Sequence, residues 1–168
     1  MLYKPAKDNS DVEIKTLDEN KKAALSLAEQ ALKSIDIFTQ DMDAELFNNK
    51  SFEQSIFALA RKHPSTKVRI LVQESTKAVQ NGHCLIRLAQ NLTSSVFIHT
   101  PSREYKNEQC AFMVMDKIGL MYRRTASNKN YKAIVNFRSP HHAGKLAEFF
   151  NEVWEQSTPD TQVRRIYV

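Results

Sequence analysis

The sequence predicts an α/β protein with a mixed sheet, parallel in its first part and completed by an antiparallel hairpin, with helices packed on the sheet. Up to about residue 99, helical and strand patterns alternate, which is typical of right-handed crossovers between parallel strands. After residue 110, short apolar segments follow one another through tight turns, which is typical of antiparallel strands.

The first predicted unit is a helix followed by a strand. The helix should begin at a cap on Asp18 and run to about Lys33, since its apolar residues recur at the i, i+3, i+4 spacing of one helical face. The β-branched and aromatic segment Ile35–Thr39 predicts the strand. A polar loop and a short helix over Ala44–Phe47 follow.

Two further units complete the parallel part. A helix should begin at Ser51, which forms a capping-box pattern with a glutamine three residues on, and end before Pro64. The nearly continuous apolar run Val68–Gln73 predicts an interior strand that is covered on both faces. A helix over Gly82–Leu92 and a strand over Ser95–His99 come next.

The second half begins with a hairpin. Its predicted strands are Ala111–Met115 and Ile118–Tyr122, joined by Asp116 and Lys117, and a third strand is predicted over Tyr131–Phe137. Asp tolerates turn geometry and bonds its own backbone, so Asp116 is interpreted as a turn residue.

The chain should finish with a long helix and a strand. Ser139 as cap and Pro140 at the first helical position open the helix, whose apolar residues share one face. A closing strand is predicted over Val163–Val168.

Length and composition indicate one domain, residues 18–168, preceded by an N-terminal arm, residues 1–17, in which Val12–Lys15 can add an edge strand. No apolar run is long enough for a membrane span and the N-terminus lacks a signal-peptide pattern, so we expect a cytoplasmic protein without a membrane partner. Cys84 and Cys110 lie apart in apolar surroundings, which is typical of buried, reduced thiols.

The positive charge is unevenly distributed. Residues 117–145 contain seven basic residues and no Asp or Glu, so this segment carries a charge of +7. Since the net charge of the chain is +5, the remaining residues together carry −2. Aromatic residues lie between the basic ones, a pattern that favours binding of a nucleic-acid backbone or another anion. The alternative is a solvated, positively charged edge that prevents strand-to-strand aggregation. The predicted anion-binding residues are Arg123, Arg124, Lys129, Lys132 and Arg138.

Other candidate groups are isolated. Four lie at the ends of predicted strands, where α/β folds often place site residues, and they are weak candidates for acid–base chemistry: His99, Asp41, Asp43 and Glu74. The alternative is a set of solvated loop residues. No metal site is predicted, because no cluster of ligands converges, and no cofactor is predicted, because phosphate-binding and dinucleotide motifs are missing from a sequence with three glycines.

The element order, together with Phe-Met-Val-Met-Asp-Lys-Ile-Gly around Asp116, resembles a single half of a phospholipase D-like domain over about residues 20–155. It is also similar to small bacterial domains of unknown function in that superfamily, some of which sit beside acetyltransferase domains. The family motif is His-x-Lys-x-x-x-x-Asp. With Asp116 as its Asp, Gln109 occupies the His position and Ala111 the Lys position, so the motif is degenerate and Asp116 is its vestige.

The resemblance implies that phosphohistidine chemistry is lost, since an amide cannot attack phosphorus and Ala111 cannot hold phosphate. We therefore expect a non-catalytic module that binds an anionic partner, either nucleic acid or a phosphorylated ligand, or a protein. The resemblance also implies a homodimer or docking on an acetyltransferase-related protein. The alternatives are an enzyme of altered phosphoryl or acyl chemistry and a packing partner of an acetyltransferase.

Overall fold

A computed structural model describes residues 11–126 and 130–164. Within these ranges eight strands form one sheet with the order β1-β7-β6-β5-β2-β3-β4-β8. The strands are β1 Val12–Ile14, β2 Ser34–Thr39, β3 Lys67–Val72, β4 Val96–Thr100, β5 Ala111–Met115, β6 Gly119–Arg123, β7 Ala133–Asn136 and β8 Thr158–Pro159.

Seven helices accompany the sheet in the described part of the chain. They are α1 Leu17–Gln30, α2 Ala44–Phe47, α3 Lys50–Ala60, α4 Thr76–Gln80, α5 Cys84–Asn91, α6 Pro140–Glu155 and α7 Thr161–Arg164, and a 3₁₀ turn spans Arg103–Tyr105. No helix among the described residues is long and apolar enough to cross a membrane.

The sheet is parallel at its centre and antiparallel on both sides. Strands β2, β3 and β4 run parallel, whereas β5 pairs antiparallel with β2 and continues into β6 and β7. Strand β1 pairs with β7 and β8 with β4, both antiparallel. The predicted mixed α/β sheet with an antiparallel hairpin is thereby confirmed. The division into an arm of residues 1–17 and a domain of residues 18–168 stays a prediction.

Two apolar layers cover the sheet. Helices α1, α3 and α5 contribute to the larger core, in which Leu27, Ile56 and Ile70 are fully buried. Helix α6 covers the other face, where Phe38 and Phe112 stack with ring centroids 5.3 Å apart beneath Phe150. Burial of apolar area on both faces provides the main driving force for folding.

Polar contacts also hold α6 on the sheet. Arg69 donates to both carboxylate oxygens of Asp36 at 2.9 and 3.2 Å and to the side-chain oxygen of Asn151 at 2.8 Å. The guanidinium lies 5.3 Å from the Trp154 ring centroid, and His99 stacks on the same indole at 3.9 Å. Burial raises the pKa of Asp36 despite this partner.

Several helix ends differ from the prediction. Helix α1 is capped by Thr16 in a capping box with Glu19, two residues before the predicted Asp18. Helix α3 is capped by Asn49, whose side chain accepts from the amide of Phe52, so the helix begins before Ser51. In both cases another side chain that can cap a helix lies close by, and tertiary packing selects between them.

The end of the chain also differs. Val163 and Arg164 lie in α7 and not in a strand, because Asp160 accepts hydrogen bonds from the amides of Gln162 and Val163 and so starts a helical turn. The rest of the predicted Val163–Val168 strand lies outside the described residues. Helix α4 was not predicted, since its five residues show too little apolar periodicity.

Candidate functional site

A cleft of about 590 Å³ opens where β2 ends, beside the beginning of β5. Three carboxylates line it, and two cationic side chains join them. We call it the acidic cleft, and it is lined by Thr39, Gln40, Asp41, Asp43, Ala44, Glu45, Lys77, Ala111, Arg123, Ala126 and Tyr131.

Arg123 closes one side of the acidic cleft. Its side chain is 4% exposed and donates to Asp43 at 2.9 Å and to the backbone oxygen of Asn130 at 2.8 Å. The guanidinium also lies 4.5 Å from the Tyr131 ring centroid. An arginine with these contacts is part of the protein's interior, so Arg123 is left out of the anion-binding proposal.

Tyr131 completes this polar cluster. Its hydroxyl proton points to two carboxylates as acceptors, Asp43 at 3.2 Å and Glu45 at 3.3 Å. Burial, followed by the negative charge of Asp43, raises the pKa of Tyr131, so the phenol stays protonated at neutral pH. The protonated phenol therefore serves as a hydrogen-bond donor to the carboxylates of this cluster.

The loop that carries Asp43 has an unusual backbone. Met42 and Asp43 have positive φ values of 70° and 27°. His83, which is buried, contacts the Met42 oxygen through Nε2 at 3.0 Å and accepts from the Leu85 amide through Nδ1. Because Nδ1 accepts, Nε2 donates, so the ring is neutral, and burial lowers the pKa of His83 accordingly.

Asp116 lies at the opposite end of β5. It and Lys117 have φ values of 53° and 58°, the geometry of a tight hairpin turn. The Asp116 carboxylate accepts three backbone hydrogen bonds, from the amides of Leu32, Lys33 and Ser34, at 2.8 to 2.9 Å. This carboxylate thus ties the hairpin to the loop before β2 and to the first residue of that strand.

Gln109 and Ala111, which the sequence resemblance predicts at the His and Lys positions of the motif, lie near the acidic cleft. Ala111 is buried at the start of β5 and lines the cleft. Gln109 is exposed and its backbone oxygen accepts from the amide of Ala126 at 2.8 Å.

The other strand-end candidates do not join this cleft. Glu74 accepts from the amide and hydroxyl of Thr76, and the hydroxyl contact is the main cause of the lowered pKa of Glu74. His99 stacks on Trp154 of α6, and its Nδ1 contacts the hydroxyl of Ser157, just after that helix, at 2.8 Å; burial lowers the pKa of His99. The structure brings Asp41 and Asp43 together in the cleft and keeps His99 and Asp116 away from it. Glu74 lies beside the cleft, since its amide donates to the backbone oxygen of Gln40 at 2.8 Å, but its side chain is turned to Thr76.

A second concavity, of about 770 Å³, lies on the face of β1, β7 and β6 that α6 leaves open. Three basic side chains converge there from three different segments, and Tyr122 forms part of the floor. We call it the basic groove, and it is lined by Glu13, Ile14, Lys15, Tyr122, Arg124, Thr125, Asn130, Lys132, Ala133 and Ile134. Within the described ranges, Lys15, Arg124 and Lys132 form no ion pair with a carboxylate.

The remaining predicted anion-binding residues lie elsewhere. Arg138 is exposed beyond the end of β7, where its backbone amide donates to the Asn136 side chain, and it does not line the basic groove. Lys129 lies outside the described residues. Of the five predicted positions, the groove therefore contains Arg124 and Lys132.

Sequence reasoning missed Lys15 as a groove residue. The segment Val12–Lys15 was predicted as an edge strand, but its pairing with β7 joins Val12 to Val135. No local pattern indicates a contact between residues so distant in the chain. Ile134, an exposed apolar residue in β7, was also missed, because it stands between two other apolar residues, Ala133 and Val135, and only the structure shows that these two are buried.

Over residues 16–166 the chain matches the family described as "Domain of unknown function (DUF7931)". The chain belongs to this family. A comparison with curated proteins finds no match for this DUF7931 chain.

Solved structures show the fold of the DUF7931 chain. Nuc from Salmonella typhimurium, a phospholipase D family member, is similar at 16% identity with a TM-score of 0.63, covering 90% of this chain and 99% of Nuc. NucT from Helicobacter pylori is similar at 13% identity with a TM-score of 0.59, again covering 90% and 99%. The predicted phospholipase D-like fold is thereby confirmed.

A third similar structure is that of TrmBL2, an archaeal chromatin protein with a novel mode of DNA binding. Its identity to the DUF7931 chain is 14% and the TM-score is 0.65, over 89% of this chain and 54% of TrmBL2. The DUF7931 chain thus spans about half the length of TrmBL2. At these identities the likeness establishes the fold alone.

Proposed function

We propose that this protein is a non-catalytic phospholipase D-like module that binds nucleic acid through the basic groove. The observation that carries the proposal is the convergence of Lys15, Arg124 and Lys132 on one open face beside Tyr122. Cations without carboxylate partners attract phosphate groups, and an adjacent aromatic ring offers a surface for bases.

The acidic cleft supports the non-catalytic part of the proposal. With Asp116 aligned to the phospholipase D motif, Gln109 and Ala111 stand in place of the nucleophile and the phosphate-binding lysine. Three carboxylates against two cationic groups give the cleft lining a negative balance, which disfavours a phosphodiester. The Asp116 carboxylate is occupied by three backbone amides.

The alternative functions have less support. An enzyme of altered chemistry would need the side chain of His99, Glu74 or Asp116 to join the carboxylates of the acidic cleft. His99 and Asp116 lie away from the cleft. The backbone of Glu74 contacts Gln40 at its edge, but the Glu74 carboxylate is hydrogen-bonded to Thr76. A second copy or an acetyltransferase-related partner would need a broad apolar surface. In the described part of the chain, the large apolar side chains that are most exposed lie on different elements: Leu32, Phe57, Ile118 and Ile134.

DNA binding by TrmBL2, as its structure reports it, makes nucleic acid the preferred anionic partner over a small phosphorylated ligand. A cytoplasmic location belongs to the same proposal.

Titration of labelled oligonucleotides at about 50 and 200 mM salt tests the proposal, because each phosphate contact releases counterions and makes affinity salt-dependent. We expect measurable binding at the lower salt. The double variant Arg124→Ala, Lys132→Ala should weaken it and reduce the slope of log affinity against log salt by about 2.

The matched control removes the same two charges from the other face of the sheet. Lys21 and Arg61 are exposed, on α1 and at the end of α3. If Lys21→Ala, Arg61→Ala weakens binding as much as the groove variant does, binding reflects net charge alone. That result would refute the basic groove as the site. Absence of binding at the lower salt would refute nucleic acid as the partner.

A further inference from the structure

The basic groove continues into an apolar pit of about 310 Å³ between the sheet and the beginning of α6. The two share Tyr122 and Ile134, so they form one continuous surface. The pit is lined by Asp11, Leu120, Tyr122, Ile134, His142, Lys145 and Leu146.

The pit exists because α6 covers only part of its face of the sheet. Leu120 on β6 is buried beneath α6, whereas Ile134 on the neighbouring β7 is 37% exposed. Ile134 is thus an apolar side chain on a strand face that α6 covers only in part. An apolar residue kept at such a position beside basic groups is typical of a ligand surface.

The charges at the rim favour a ligand with a phosphate. Arg124, Lys132 and Lys15 lie at the groove end, and Lys145 lies at the rim of the pit. Two carboxylates oppose them: Glu13 in the groove and Asp11 at the pit, where Asp11 accepts from the Asn136 amide at 2.9 Å. Four cations against two carboxylates leave this surface positive.

The pit's size and lining favour a single flat apolar group. Its volume lies at the lower end of the range of small-molecule sites, roughly 300 to 1,000 Å³. A nucleobase has apolar faces that pack against aromatic and aliphatic side chains, and it is linked to phosphates that the rim can bind. A base within a duplex is stacked on both faces and paired, so it enters a pit only after unpairing.

Resting on the proposed function, we infer that the ligand is single-stranded nucleic acid, with one unpaired base in the pit against Tyr122 and Ile134. The adjoining phosphates then contact Arg124, Lys132 and Lys15 in the groove. Burial raises the pKa of Tyr122, so its phenol is neutral and does not repel the strand. Selectivity for a single strand follows from the pit, while affinity for phosphate follows from the groove.

The experiment compares three oligonucleotides of roughly 16 nucleotides, which is the upper site size of an OB fold that binds a single strand. They are a single strand, its duplex, and a single strand of the same charge whose sugars lack bases. The inference predicts that the abasic strand binds the full chain about tenfold more weakly than the normal strand. The duplex should also bind more weakly, since its bases cannot reach the pit.

A matched pair of variants tests whether the unpaired base binds in the pit. Ile134→Ser should weaken binding of the normal strand and leave the abasic strand unchanged. Ile118→Ser is the control, because Ile118 is 41% exposed in the hairpin turn and lines neither the groove nor the pit. Thermal unfolding of both variants checks that the sheet is intact.

The outcomes separate the two proposals. If Arg124→Ala, Lys132→Ala weakens binding while the abasic strand and the duplex bind as tightly as the normal strand, the pit inference is refuted and the basic groove stands. If Ile134→Ser and Ile118→Ser have equal effects, the pit inference is likewise refuted. If the groove variant binds like wild type, the proposed function itself fails.

Discussion

The acidic cleft and the basic groove both contain an arginine from the pair Arg123-Arg124, but they use it differently. Arg123 is 4% exposed and paired with Asp43, whereas Arg124 is exposed and forms no ion pair with a described carboxylate. Adjacent residues on a strand point to opposite faces of a sheet. One charge therefore stabilises the fold while its neighbour is available to a ligand.

The same contrast extends to the two ends of β5. The Asp116 carboxylate is occupied by backbone amides, and Ala111 contributes no charge to the acidic cleft. Both ends of β5 thus contribute to the fold, whereas Arg124 and Lys132, which form no ion pair with a described carboxylate, lie in the basic groove. The likeness to phospholipase D structures locates the fold but not the proposed interface.

The strongest test of this contrast is Arg123→Ala. Removing one partner of a buried ion pair leaves Asp43, which is 15% exposed, without its counter-charge, and this costs about 3 to 5 kcal/mol of unfolding free energy. Arg124→Ala should stay within about 0.5 kcal/mol of wild type. Urea denaturation of both variants measures the difference, and equal losses would contradict the distinction.

Asp116→Ala should have the next largest effect. Three backbone amides lose a charged acceptor, so we expect a loss of about 2 kcal/mol in unfolding free energy. Asp116→Asn should lose about half as much, because asparagine tolerates the positive φ and keeps one acceptor oxygen. A stability unchanged in Asp116→Ala would argue against the structural role of this carboxylate.

A lysine from each region gives a smaller, finer comparison. Lys132→Ala should lower the salt slope of oligonucleotide binding by about 1, because one phosphate contact is lost. Lys77→Ala removes an exposed lysine from the acidic cleft and should leave the slope unchanged. Equal slopes in the two variants would show that the groove is not the contact surface.

The smallest expected effect is the pH dependence of the stability that His83 gives to the loop carrying Asp43. The pKa of His83 is lowered from its ordinary value of 6.5, so the unfolded chain binds more protons than the folded one below that pH. The contribution of neutral His83 to the unfolding free energy is thus lost as the pH falls from about 6.5 towards the lowered pKa. The difference in unfolding free energy between wild type and His83→Gln should shrink between about pH 7 and pH 5, and a constant difference would contradict this role.

The sequence predicted what depends on local pattern. Strand β5, with five successive apolar residues, and helix α2 have the predicted bounds, since short-range periodicity and turn residues determine them. The turn at Asp116 was also predicted, but its three bonds to the amides of residues 32–34 join residues more than 80 positions apart. Such bonds leave no trace in a local pattern.

The groove could be predicted only in part for the same reason. The basic segment was visible as a run of charge, but the separation of Arg123 from Arg124 depends on which face of β6 meets Asp43, 80 residues away. Strand alternation alone indicates that the two arginines diverge. It does not indicate which of them is buried.

The stack of His99 on Trp154 has a practical consequence. Trp154 is the only tryptophan in the chain, and it belongs to α6, the helix whose beginning forms one wall of the pit. The intrinsic fluorescence of Trp154 therefore reports on the position of α6 against the sheet, without an added label. An emission spectrum that is unchanged when an oligonucleotide binds would mean that the wall is rigid, whereas a shifted spectrum would mean that the helix adjusts to its ligand.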